Sequence, residues 1–196
     1  MSSIDAINQY LNPDKTILIP VLNTGSHSSF GLALALQKML QAKGAKVNVV
    51  VEDKTQYEYL NFLDQSEVEI GFPAGRESIL SLDISKNQIE SLKYEVEGDK
   101  LNIFLTTERG HISLEDLTVS DTGVAPDLII TIGIPKLRNL GTLYTSNPEV
   151  FFKTPIVNLD NTFENKAFGK INIIEIGMSL MSQLVYEFAS TLGLDI

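Results

Sequence analysis

One stretch, residues 17–53, limits what this chain can become. Ile17-Leu18-Ile19-Pro20-Val21-Leu22 is a continuous apolar run, the pattern of a parallel strand buried on both faces. Asn23-Thr24-Gly25-Ser26-His27-Ser28-Ser29 interrupts it with turn formers and small polar residues. Phe30, Ala33, Leu34, Leu36, Gln37 and Leu40 follow at helical spacing, and Gly44 stands where a left-handed C-cap belongs. A second strand begins at Lys46-Val47-Asn48-Val49-Val50-Val51. This is a βαβ unit, and in such sheets chemistry gathers beyond the carboxyl ends of the strands. The segment at that position, residues 23–29, has no carboxylate, lysine or cysteine.

The rest of the chain supports an α/β reading with one interruption. Ile4, Ile7 and Leu11 share a face of an opening helix capped by Ser2 or Ser3 and ended by Asn12-Pro13-Asp14. Residues 54–65 read as a helix with Tyr57, Leu60 and Leu63 inward, the tyrosines packing into the core rather than stacking on a base. From about 78 to 120 the pattern becomes half-apolar. Ile79, Leu80, Leu82 and Ile84 suggest a strand, and Leu92, Tyr94 and Val96, then Leu101, Ile103 and Leu105, alternate with polar residues around Glu97-Gly98-Asp99-Lys100. That is an antiparallel hairpin whose six apolar side chains are expected to cover the α/β sheet or a partner chain. His111 lies in a polar turn and reads as solvated. After Pro126 the α/β rhythm returns. Strands are expected at 127–132, 154–159 and 171–174, and helices at about 136–146 and 178–192. Leu180, Leu184, Phe188 and Leu192 line one side of the last helix, which Gly193 ends.

Composition narrows the function classes. The 196 residues suit a single domain, and 43% apolar residues supply a core. Without cysteine there is no disulfide, thiolate metal site or thiol nucleophile. No apolar run approaches the roughly 18 residues of a membrane span, and a signal-peptide pattern is missing at the N-terminus, so a cytoplasmic address is the expectation. A net charge of −10 argues against any broad grip on nucleic acid.

Two stretches, 17–53 and 127–194, resemble the DHH phosphoesterase family, in particular its oligoribonuclease and phosphoadenosine-phosphate phosphatase branch. Asp127-Leu128-Ile129-Ile130, Leu140-Gly141-Thr142-Leu143-Tyr144, Phe151-Phe152-Lys153-Thr154-Pro155 and Asn165-Lys166-Ala167-Phe168-Gly169 fall in family order and spacing. Lys170-Ile171-Asn172-Ile173 and Val185-Tyr186-Glu187 continue the series. The resemblance implies a parallel sheet flanked by helices with the β-hairpin inserted at about 78–120, residues 1–196 forming one DHH-like domain. It also implies that the family's C-terminal substrate domain is absent from this chain.

Members of that family bind two metal ions, usually manganese, that activate water against a phosphate. The resemblance puts Leu22 at the first-motif histidine, Ser26 and Ser28 at its aspartates and Gly133 at the second-motif aspartate. Asp160-Asn161-Thr162 stands at the aspartate-histidine-histidine, so only Asp160 survives. One carboxylate with an amide and hydroxyls does not hold two hard divalent ions. The expectation is therefore no catalytic residue, no metal and no cofactor: a catalytically inactive, phosphoesterase-like binding or assembly module. A protein partner or homo-oligomer goes with that reading. Two rivals stay open, a phosphoesterase with a rebuilt metal site and a metal-free binder of a nucleotide-like anion. In the old cleft the candidate ligand residues are Thr24, Gly25, Ser26, His27, Ser28, Gly133, Asp160 and Asn161. The helix N-terminus there suits an anion, but the same residues also serve as caps, and Asp160 also suits a cap on Asn161-Thr162.

Overall fold

The computed structural model describes residues 3–22, 27–73, 78–121 and 125–194. The chain divides into two compact units, Met1–Pro73 with Val124–Ile196, and Ala74–Gly123. The first is an α/β layer structure. Strands β1 (Thr16–Pro20), β2 (Lys46–Val51) and β3 (Val68–Ile70) precede the second unit, and β8 (Leu128–Ile132), β9 (Ile156–Asp160) and β10 (Ile171–Ile174) follow it. All pair in parallel in the order β10-β9-β8-β1-β2-β3. The order reverses between β1 and β8, and ligands of doubly wound sheets bind beyond such a point.

Alternation along the buried strands feeds both faces. Ile17, Ile19, Val47, Val49, Leu128, Ile130, Val157 and Leu159 pack under α1 (Ser3–Asn8), α2 (His27–Ala42) and α5 (Met181–Thr191). Leu18, Val50, Ile129 and Ile156 pack on the other face with Leu140, Leu143 and Phe151. Helix α2 stops in a Schellman motif: Gly44 has φ +93°, the Ala45 N–H reaches the Leu40 carbonyl and the Gly44 N–H that of Gln41. Gly193 ends α5 in the same way, with φ +66°.

Three local expectations are corrected. The helix expected at 136–146 is broken: a 3₁₀ turn at Leu137–Leu140 gives way at Gly141 (φ +59°, ψ −131°) to α3 (Thr142–Thr145), and a further helix, α4 (Pro148–Lys153), follows. Only glycine accepts that backbone, and it cuts the periodic leucines into two short pieces. Residues 54–65 form a 3₁₀ helix over Thr55–Leu60 only. Tyr57 is nevertheless core, stacked on Phe30 at 4.1 Å between ring centres and donating its hydroxyl to the Leu22 carbonyl at 2.5 Å. The last helix starts at Met181, so Leu180 is an exposed N-cap residue and not part of the inward stripe. The short edge strand β3 lies in a stretch that carries no strong period.

The second unit contains two antiparallel pairs. Strand β4 (Ser78–Leu82), shorter than expected because Ile84 lies outside it, pairs with β7 (Leu117–Asp121). Strand β5 (Ile89–Glu97) pairs with β6 (Lys100–Thr107) through a two-residue turn at Gly98 (φ +60°) and Asp99. The registers Leu92–Leu105, Tyr94–Ile103 and Val96–Leu101 put all six apolar residues on one face, as their alternation requires. No element of this unit covers that face: Leu105 is half-buried and the other five are exposed.

Candidate functional site

At the carboxyl ends of β8 and β9 a cleft of about 620 Å³ opens against the first turn of α2 and the residues leading into α5. Of the eight candidate ligand residues, Ser28, Gly133, Asp160 and Asn161 line it together. Thr24, Gly25 and Ser26, and the side chain of His27, lie outside the described residues. The cleft also receives Thr162, the third residue of the aspartate-histidine-histidine position, and Ser29, Ser179 and Ser182, to which the resemblance gives no role. The three serines share a signal, a small hydroxyl residue near the start of a helix.

Gly133 ends β8 with φ +64°. A Cβ there would lie 3.2 Å from Ser29 Oγ and 3.5 Å from Met181 Cε. The end of β8 thus approaches the start of α2 closely enough that a Cβ at 133 would require Ser29 to give way.

Asp160 is fully buried. Its Oδ1 accepts the N–H groups of Asn161 (2.8 Å) and Thr162 (3.2 Å), and its Oδ2 accepts the Thr162 hydroxyl (3.3 Å) and the Asn165 amide (2.6 Å). The carboxylate therefore caps the chain as it leaves β9 and ties down the loop beyond. Asn161 turns away, donating to the Met178 carbonyl at 2.8 Å.

Behind Asp160 runs a row of polar side chains. Thr131, Asn158 and Asn172 are neighbours in register across β8, β9 and β10, and the first two are fully buried. The Thr131 hydroxyl donates to Asn158 Oδ1 (3.2 Å), and the Asn158 amide donates to Asn165 Oδ1 (2.8 Å) and Asn172 Oδ1 (3.1 Å). Asn172 closes a small ring with the backbone of Gly169, accepting at 3.0 Å and donating at 2.7 Å. A Cβ on Gly169 would meet the Ile171 and Ile156 carbonyl oxygens at 2.7 and 2.9 Å. The family-like residues Asn165, Gly169 and Asn172 thus build the support of the loop. A reader of the sequence has one clue to this network, namely amides and a threonine interrupting otherwise apolar strands.

Among the described residues no three of His, Cys, Asp and Glu come together to hold a metal ion. No described helix is long and apolar enough to cross a membrane.

Neither a protein-family model nor a curated protein matches the chain. Among solved structures it is similar to an exopolyphosphatase-related protein from Bacteroides fragilis, with a TM-score of 0.57 and 14% sequence identity. The match covers 97% of this chain and 44% of that one, so the chain spans less than half the length of the structure it resembles. At that identity the likeness is one of fold: a mixed α/β structure built on a parallel sheet.

Proposed function

We propose that this is a DHH-like phosphoesterase fold working without metal ions and without hydrolysis, and that its cleft holds a small, phosphate-bearing, nucleotide-like anion. The observation that supports this most is the state of Asp160. A carboxylate offers about four lone-pair sites, and four donors already converge on this one. To ligate a hard cation it would have to give up hydrogen bonds that hold the end of β9. In place of further carboxylates the cleft is lined by the hydroxyl residues Ser28, Ser29, Ser179 and Ser182. Hydroxyls donate to phosphate oxygens, and the first turn of a long helix adds N–H groups and roughly half a positive charge.

Thermal melting with inorganic phosphate and with a nucleoside monophosphate tests the reading. A ligand that binds only the folded state raises Tm, and the rise should survive excess chelator. Titration calorimetry with manganese should show no micromolar site, and a chromogenic phosphodiester should remain intact in excess manganese. A stoichiometric micromolar manganese site that Asp160→Ala removes, together with turnover of the diester, would establish the rebuilt phosphoesterase instead.

A further inference from the structure

The second unit has no core of its own: of the described residues from 79 to 119, not one is buried. A lone two-stranded ribbon is marginal in water, and stability comes with further strands or a covering surface. The ribbon β5–β6 nevertheless carries three stacked apolar pairs, with Leu92, Tyr94 and Val96 exposed at 61%, 72% and 71%. Such a ribbon gains from an added strand.

We propose that the added strand comes from a second copy of the same ribbon, joined edge to edge along β5 about a two-fold axis at Tyr94. Strand β5 pairs with β6 and with no other described strand. Its last pair, Glu97–Lys100, flanks the two-residue turn and is a hydrogen-bonded pair. Alternation then directs the N–H and C=O groups of Leu92, Tyr94 and Val96 to the edge away from β6. An antiparallel copy centred on Tyr94 sets Leu92 opposite Val96 and Lys93 opposite Glu95, each twice by symmetry. Lys93 and Glu95 fall in the non-hydrogen-bonded pairs, where opposing side chains are nearest. Sliding the register to the next positions that keep the faces aligned sets Lys93 against Lys93, or Glu95 against Glu95. The β6 edge offers no comparable selection, because Asn102, Phe104 and Thr106 are uncharged. The product is a four-stranded antiparallel sheet with twelve apolar side chains on one face. This pairing is independent of what the cleft binds.

The whole chain is the test object. Light scattering should show a dimer that dissociates on dilution. Lys93→Glu, and separately Glu95→Lys, should each weaken it by roughly tenfold or more, since each creates two like-charge pairs. The double exchange Lys93→Glu with Glu95→Lys recreates both opposite-charge pairs and should restore the dimer. Because the chain has no cysteine, Tyr94→Cys adds one unambiguous thiol. Opposed Cα atoms in such a pair lie about 5.5 Å apart, within disulfide range, so mild oxidation should link the copies covalently. A monomer at every concentration overturns the proposal, as does a dimer indifferent to the charge reversals or a Tyr94→Cys variant that stays unlinked. Unchanged far-UV circular dichroism in the variants keeps a folding defect from imitating dissociation.

Discussion

Asn165 Nδ2 lies 2.6 Å from Asp160 Oδ2, 3.1 Å from the Ile134 carbonyl and 3.3 Å from Asn158 Oδ1. One amide thereby joins the end of β9, the segment after β8 and the polar row beneath. The residue that the family resemblance assigns to a metal is built into the fold as an acceptor of hydrogen bonds. Asp160→Asn keeps the shape but brings an NH₂ group among donors, leaving buried groups unmatched. Urea unfolding should show a loss of about 2–4 kcal/mol. A carboxylate kept only for a metal would behave differently, its neutralisation leaving the metal-free protein as stable as before or more so.

Placing an aspartate at position 133 should not create a metal site. At Gly133 the positive φ disfavours any side chain, and the new Cβ would press on Ser29 Oγ at 3.2 Å. Gly133→Asp is expected to lower stability by about 1–3 kcal/mol and to leave manganese titrations flat. A micromolar manganese site in this variant would show that the cleft adapts more than its close packing allows.

Gly141 answers a different constraint. Glu52, just after β2, accepts the Thr142 N–H at 2.9 Å and the Thr142 hydroxyl, pinning the start of α3 to the end of the sheet. A Cβ on Gly141 would fall 2.8 and 3.0 Å from the two Glu52 carboxylate oxygens. Gly141→Ala should cost roughly 2–3 kcal/mol by combining this clash with a glycine-only backbone. Adding Glu52→Ala should recover the steric part alone, and the double-mutant cycle measures that share. Strict additivity would mean that the carboxylate swings clear.

The contrast between these sites explains what was legible beforehand. Strands β1, β2, β8 and β9 are buried on both faces, and burial on both faces writes itself into sequence as runs such as Leu128-Ile129-Ile130. The β5–β6 hairpin was legible through alternation and Gly98. Leu137, Leu140 and Leu143 gave a true apolar spacing but a false continuous helix, because period alone does not reveal that Glu52 occupies the space beside Gly141. Edge strand β3 was invisible, since three residues carry too little period to register. The motif positions Gly133, Asp160 and Asn161 fall on the lining of one cleft. The cap of Asp160 on Asn161 and Thr162 was legible from their adjacency, but its bond from Asn165 was not, because Asn165 reaches it from a loop whose path depends on Asn158 and Asn172 in other strands.

The final prediction concerns pH. Lys15 Nζ lies 2.7 Å from Asp127 Oδ1, and the Thr16 N–H donates to Asp127 Oδ2 at 2.9 Å. The Asp127 N–H returns a bond to the Thr16 carbonyl at 2.8 Å, so the pair locks the starts of β1 and β8. Partial burial of Asp127 pushes its pKa upward. The Lys15 hydrogen bond, the Thr16 N–H and the attraction of the ammonium outweigh that push and hold the carboxyl below its ordinary value. A carboxyl with a folded pKa below its unfolded value of about 3.9 contributes stability above that value. The contribution disappears as pH falls through the lower, folded value. Lys15 moves the opposite way, its pKa raised chiefly by the hydrogen bond to Asp127, so its share persists through neutrality and fades only in alkali. Asp127→Asn should therefore cost about 1 kcal/mol at pH 7, the pair being partly exposed. Exposed carboxylates such as Asp53, Asp64 and Glu149 are also held low, so the acid limb of the protein as a whole is shared among many groups. The informative quantity is the difference in unfolding free energy between wild type and Asp127→Asn, followed by urea titration from pH 7 to pH 3. It should stay level to about pH 5 and shrink below about pH 4. A difference that holds constant down to pH 3 would mean that Asp127 supports the strand ends through its shape and not its charge.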